Sequence, residues 1–467
     1  MADSGSDGVP GSSGKFRGTL TWREEPQYEE ARVGRVFNSR RPQRFPRAVL
    51  FAESVEDVIA GVRLAHEHNL TISVRSGGHS WDAWSVRDGS LLIDFGRMRE
   101  MSYDSQSGVA TVSPSITGGE LNSCLDPFGM FFPGGHCPDV GLGGFLLQGG
   151  MGWNTRGWGW ACERIAAVDL VTAEGKLMHA DERENPDLFW AVRGSGPGFF
   201  AIVVRFYLRP RPKALTRSTF VYPMEAYDQV MHWLHGIHQS LDSSVELVTI
   251  GLQLPIPGDA ESAMRHSLVV HTLCFADTPE VARAALAPME SCPALAQALV
   301  RDICVPTSLQ EEYEEQRRQN PAGDRFAADN LWLSGPAKHM VPMLKPCFES
   351  LPTARTFALW YSMAPLRPLP DMALSLQSEI YFAVYTIWTD PAHDARCRAW
   401  LYDQMKRMED FSDGCYLGDS DLPTRSAKFM AAENFRKLSA RAGQSLNRVR
   451  LRRRPEMHLL FGNRSAA

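Results

Sequence analysis

From Arg47 onward, short apolar runs alternate with an amphipathic stretch. Residues 48–51, Ala-Val-Leu-Phe, read as a strand. Ser54 follows, with Asp57 three residues later, a capping-box pattern that predicts a helix to His68 closed by Asn69. Residues 70–74 read as the next strand. This β-α-β stretch delivers the chain to Gly77-Gly78-His79. Further strand-like runs lie at 91–94, 108–112, 166–171 and 200–206. Between them is a glycine-rich stretch, 134–159, and Arg209-Pro210-Arg211-Pro212 marks a boundary.

Beyond about residue 214 the glycines thin out. Helical patterns at 226–241 and 279–296 alternate with strand-like runs at 247–254 and 267–275, which predicts a second α+β domain. Aromatics gather at Trp360-Tyr361 and at Tyr381, Phe382, Tyr385 and Trp388. Residues 1–18 are rich in Gly and Ser and read as a flexible tail. No fixed-period repeat is present.

A chain of 467 residues has room for two to three domains, and 44% hydrophobic with 22% charged residues is a globular balance. Forty-nine basic against 54 acidic residues give no electrostatic reason to expect a nucleic-acid partner. The nine cysteines are scattered singly and suit neither a disulfide framework nor a metal site. The N-terminus lacks a signal-peptide pattern and no run is long enough to span a membrane, so a cytoplasmic protein is expected.

Three constellations carry chemistry. The first is Arg75-Ser76-Gly77-Gly78-His79-Ser80-Trp81, where two glycines after a strand allow a tight turn and free backbone N–H groups to face an anion. The second is Pro133-Gly134-Gly135-His136-Cys137-Pro138-Asp139-Val140-Gly141-Leu142-Gly143-Gly144, continuing to Gln148-Gly149-Gly150-Met151-Gly152. Its interleaved Val140, Leu142, Phe145, Leu146 and Leu147 point to an ordered, buried segment rather than a mobile loop. It matches neither a P-loop nor a dinucleotide-binding fingerprint. The third is Val171-Thr172-Ala173-Glu174-Gly175, followed by Asn185-Pro186-Asp187-Leu188-Phe189-Trp190-Ala191-Val192-Arg193-Gly194.

In this order the motifs resemble the berberine-bridge-enzyme-like flavoproteins of the vanillyl-alcohol-oxidase/PCMH superfamily. The match is strong over about 45–212 and weaker over 416–438. The resemblance implies an α+β fold: a PCMH-type FAD-binding domain of two α/β subdomains, with a substrate domain whose antiparallel sheet is covered by helices. The divisions it implies are a flexible segment 1–40, the FAD domain 41–213, the substrate domain 214–410, and a C-terminal segment 411–467 returning to the FAD domain. The tail after residue 438 departs from the family and is rich in arginine.

The same resemblance implies FAD held covalently through His79 and Cys137, the former at the 8α-methyl and the latter at C6 of the isoalloxazine. Arg75, Ser76, Gly77, Gly78 and Ser80 would line the pyrophosphate. Gly141, Gly143, Gly144, Gly149 and Gly152 would pack on the ring and adenine arm, with 202–204, Val203 included, beside them. Val140 takes the place where this group tunes oxygen access, and Asn434 would contact the flavin. Tyr416 is the candidate base, with a pKa that a nearby cation would lower, and Cys137 is expected to have a lowered pKa. Phe145 stands where the family has His, and Gln148 where Gly is common. The implied activity is oxidation of a small organic alcohol, phenol or amine, of a secondary-metabolite kind, by hydride transfer to the flavin with O2 as acceptor. A dehydrogenase using another acceptor, a carbohydrate oxidase and a flavin protein without turnover are the alternatives.

Overall fold

The structure, a computed structural model, describes residues 16–255 and 264–446. The β-α-β opening forms where the sequence places it. Ser54 Oγ accepts the Asp57 N–H at 3.2 Å and starts the helix Val55–Glu67. Just beyond its end, Asn69 adopts φ 53°, a left-handed turn that asparagine tolerates. Strands Ala48–Phe51 and Thr71–Arg75 flank Ser90–Asp94 in parallel, and Thr19–Trp22 joins Ala48–Phe51 antiparallel to complete a four-stranded sheet.

That edge strand corrects the expectation of a flexible segment over 1–40. Thr19–Trp22 is paired, and the helix Tyr28–Val33 buries Tyr28 and Ala31 against Val49 and Leu92. These apolar side chains find an uncovered sheet face, and burying each large one contributes about 1.5–3 kcal/mol. Residues 1–15 lie outside the described residues.

A second, antiparallel sheet has five strands in the order Met101–Asp104, Val109–Val112, Ile202–Leu208, Ile165–Val171, Leu177–Ala180. The third sheet is antiparallel, with eight strands. Its order is Val300–Pro306, Thr216–Pro223, Met264–Cys274, Val245–Pro255, Phe357–Ser362, Ile380–Trp388, Arg325–Leu333, Ser412–Gly414.

Side chains on these strands alternate between two cores. Leu247, Ala358, Trp360, Phe382 and Val384 face one way, under the helices Tyr227–Ile237, Ala337–Glu349 and Asp394–Met408. Val248, Ile250, Phe357, Tyr361, Tyr381 and Tyr385 face the other way, toward the first half of the chain. Register keeps them together, since Val248 pairs with Tyr361, which pairs with Tyr381. A slip of one residue would turn that whole set to the opposite face. The helix predicted over 279–296 stops at Leu286 and gives way to a 3-10 turn, Ala287–Ser291, containing Pro288, which has no N–H to continue the ladder.

The C-terminal part serves both halves. Ser412–Gly414 is the edge strand of the eight-stranded sheet. The helix Ala432–Leu446 then brings Leu438 against the cluster of Trp190 and Ala191. The helix runs past residue 438, and 447–467, with most of the arginine-rich tail, lie outside the described residues. The molecule is thus an α+β protein. No helix among the described residues is long and apolar enough to cross a membrane.

Candidate active site

The two glycine-rich motifs meet backbone to backbone. A Cβ on Gly77 would lie 2.6 Å from the Gly141 nitrogen, and one on Gly141 would lie 2.5 Å from the Gly77 nitrogen. Only glycine at both positions permits this approach. Gly78 turns the chain at φ 78°, and a Cβ there would lie 1.9 Å from the Arg35 carbonyl oxygen.

The junction opens into a cavity of about 380 Å³. Ser76, Gly77, Gly78, His79 and Ser80 line it from the first motif; Cys137, Val140, Gly141 and Gly144 line it from the second. Nothing lies within 4 Å of a Cβ built on Gly144, so that bare backbone leaves room for a bound group. The departures from the family pattern, Phe145 and Gln148, also stand in the wall. The sheet of the second half closes the opposite side with Glu246, Val248, Ile250, Phe357, Leu359, Tyr361, Tyr381 and Tyr385.

His79 stacks on Phe37 with ring centroids 4.0 Å apart and planes at 19°. Phe37 in turn donates its backbone N–H to the Gly78 carbonyl at 3.0 Å. Burial pulls the imidazole pKa down to about 4, so the ring is neutral near pH 7 with a nitrogen lone pair available. The half-buried Cys137 thiol goes the other way. Burial, then the Asp419 and Asp139 carboxylates, push it up to about 12, opposite to the lowered value expected from the sequence.

Arg75 also borders the cavity, but its guanidinium pairs with Asp94 and donates further bonds to the carbonyls of Arg32 and Ala31 at 2.6 Å each. Five other residues expected at the flavin are not among those lining this cavity. Cβ atoms on Gly143 and Gly152 would collide with Ser76 Oγ at 2.3 Å and the Pro133 carbonyl at 2.2 Å, so these glycines serve chain packing. Gly149, at φ 102°, packs beside Leu374 and Trp160, and Val203 is buried in its strand opposite Leu170. Asn434 donates its side-chain N–H to the Met372 carbonyl at 2.8 Å.

Tyr416 does reach the cavity, where its hydroxyl accepts the Met151 N–H at 3.2 Å. Its backbone is clamped from both directions by the Asn330 side chain, at 2.7 and 2.8 Å. Burial and then Asp419 raise its pKa, so the expected cation-lowered phenol is not what the site provides.

Asp419 is the residue the sequence reading missed. Its carboxylate accepts Trp81 Nε1–H at 2.8 Å, Tyr381 O–H at 2.8 Å and Tyr385 O–H at 3.1 Å. It thereby ties the first motif, the sheet and the C-terminal segment together at the cavity wall. A second carboxylate, Glu246, accepts from His136 at 2.9 Å and from Tyr361 at 2.9 Å. The only local hint of Asp419 was its place three residues after Tyr416.

Residues 46–181 match the family model described as an FAD binding domain. The chain is 38% identical to the FAD-linked oxidoreductase nodO of Hypoxylon pulicicidum, over 89% of this chain and 92% of that one. It is 37% identical to the FAD-linked oxidoreductase penO of Penicillium crustosum, over 89% and 92%. Among solved structures, 6-hydroxy-D-nicotine oxidase from Arthrobacter nicotinovorans superposes with a TM-score of 0.79 at 19% identity, covering 94% of this chain and 97% of that one. The BBE-like 1 protein of Physcomitrella patens gives 0.76 at 18% identity, covering 92% and 94%. The chain therefore belongs to the FAD-linked oxidoreductases, its cofactor is FAD, and it shares the fold of the BBE-like 1 protein.

Proposed function

We propose that this enzyme holds its FAD covalently through His79 and Cys137 and oxidises a small organic alcohol, phenol or amine, with O2 as the final acceptor. The observation that carries this reading is the meeting of the two motifs at Gly77 and Gly141, which sets His79 and Cys137 on one cavity. Bound there, FAD supplies a two-electron acceptor for a substrate hydride.

The chain's own residues divide the remaining work. His79, neutral and stacked on Phe37, presents a ring nitrogen for one tether. Cys137 would present its sulfur for the second tether. Ser76, Ser80 and the glycine turn hold the anionic part of the cofactor. The substrate O–H or N–H proton goes to Asp419, the carboxylate on the wall, with Tyr381 and Tyr385 donating to it. Tyr416 keeps its own proton and orients the loop through Met151.

Support for O2 comes from Val140, which lines the cavity. The structural neighbour Phl p 4 has glucose dehydrogenase activity, and an isoleucine-to-valine variant of it is a glucose oxidase. The small side chain of Val140 fits the oxidase pattern. A secondary-metabolite substrate is favoured by the likeness to fungal FAD-linked oxidoreductases over nine-tenths of their length. Retention of flavin by the denatured polypeptide tests the tethers. Fast reoxidation of the reduced enzyme by O2 in stopped flow tests the acceptor, and slow reoxidation would favour a dehydrogenase.

A further inference from the structure

The wall opposite the flavin motifs has an unbalanced charge. Its apolar surface is Val248, Ile250, Phe357 and Leu359, laid side by side by the sheet register. Among the described residues lining the cavity, the only Lys or Arg side chains are Arg75 and Arg87, both on the segment of the first motif. Arg75 is spent on Asp94 and two carbonyls. The sheet side and the C-terminal loop contribute no Lys or Arg, and the carboxylates lining the cavity are Glu246, Glu312 and Asp419.

Two of these three are answered. Glu246 pairs with His136 at 2.9 Å, and Glu312 lies 3.3 Å from His271 and 3.4 Å from Arg217. Asp419 differs, because among the described residues its three bonded donors are one indole and two phenols, with no His, Lys or Arg among them. Its Oδ2 carries both phenols, while Oδ1 carries only the indole and keeps a further acceptor position. Both phenol pKa values are raised well above the ordinary range, by burial first and then by Asp419, so these groups stay protonated as donors.

We infer that Asp419 selects the substrate by charge: the cavity takes an apolar molecule whose N–H or O–H donor is neutral or cationic, and it rejects anions. A second negative charge brought beside Asp419 would find no Lys or Arg on the sheet side or the C-terminal loop to offset its desolvation. A neutral donor gains a charge-assisted hydrogen bond, and an ammonium gains an ion pair as well. This narrows the alcohol, phenol or amine of the proposed function and rests on that reading.

The test uses the purified holoenzyme and three probes of nearly one shape: naphthalene-2-methylamine, naphthalene-2-methanol and naphthalene-2-carboxylate. Binding is read as perturbation of the visible flavin spectrum. The amine and the alcohol are expected to bind at least about ten-fold more tightly than the carboxylate, a gap of about 1.4 kcal/mol. In Asp419→Asn, the preference for amine over carboxylate should collapse to within about three-fold. Tyr385→Phe keeps the carboxylate and should keep the preference. The inference is overturned if the carboxylate binds as tightly as the amine, if no probe binds, or if Asp419→Asn leaves the ranking unchanged. Should that variant lose its flavin, the wild-type ranking alone decides. A protein purified without a flavin spectrum would instead contradict the proposed function.

Discussion

Gly77 and Gly141 touch through their backbones, from motifs more than sixty residues apart, and each occupies the space the other's side chain would need. That contact fixes where His79 and Cys137 sit relative to one another. Gly141→Ala forces a methyl to 2.5 Å from the Gly77 nitrogen, and neither partner is a flexible side chain that can move aside. Overpacking of this kind costs about 1–3 kcal/mol. Flavin content, read from visible absorbance per polypeptide, should fall by at least half, and the melting temperature should drop with it. A fully loaded, equally stable variant would refute this role.

Phe37 reaches His79 from the segment 1–40 that the family resemblance implied to be flexible. The 4.0 Å stack and the Phe37 N–H to Gly78 bond both orient the imidazole. Phe37→Ala should slow or reduce attachment at His79 while leaving the cavity able to take FAD. Intact mass and peptide mapping distinguish the two, because noncovalent flavin is lost on denaturation.

Arg75 and Asp94 form a fully buried pair in the first sheet, and Arg35 joins the same carboxylate. Removing one partner leaves a buried charge unanswered, which costs about 3–5 kcal/mol. Asp94→Asn should therefore lower the denaturant midpoint sharply. A shift equivalent to less than 1 kcal/mol, on the order of an exposed pair, would show that the pair is not buried as described.

The burial of His79 makes a statement about acid. Its pKa is about 4 in the fold against an ordinary 6.5, so between those values the unfolded chain binds the extra proton. Stability must then decline as pH falls from about 6.5 to about 4, and this contribution is flat below that window. His238, also pulled to about 4 by burial, acts with the same sign. Flavin-free His79→Asn should show a shallower loss of melting temperature across the window than flavin-free wild type. Parallel curves would exclude the contribution.

Much of the first half was legible because its signals are local. Ser54 with Asp57 marked a helix start, and Gly77-Gly78-His79 marked a turn, within a few residues each. The eight-stranded sheet was legible only as scattered apolar runs, since its pairings join residues such as Val248 and Tyr361 across long separations. Asp419 escaped notice for the same reason, since its three donors come from residues 81, 381 and 385. Glycine counting also misled in one respect. A Cβ on Gly143 or Gly152 would meet Ser76 or Pro133, so chain packing already asks for glycine there, and nothing in the sequence separates that use from a ligand's. Tyr416 was found at the cavity, but its protonation is set by burial and Asp419, which sequence does not display.

Denaturation of the purified yellow protein in acid, followed by peptide mass analysis, tests the central claim most directly. Flavin should remain with the precipitated polypeptide and map to the peptides holding His79 and Cys137. His79→Ala and Cys137→Ala should each leave one link, and the double variant none. Complete release of colour into the supernatant from the unaltered protein would contradict covalent attachment.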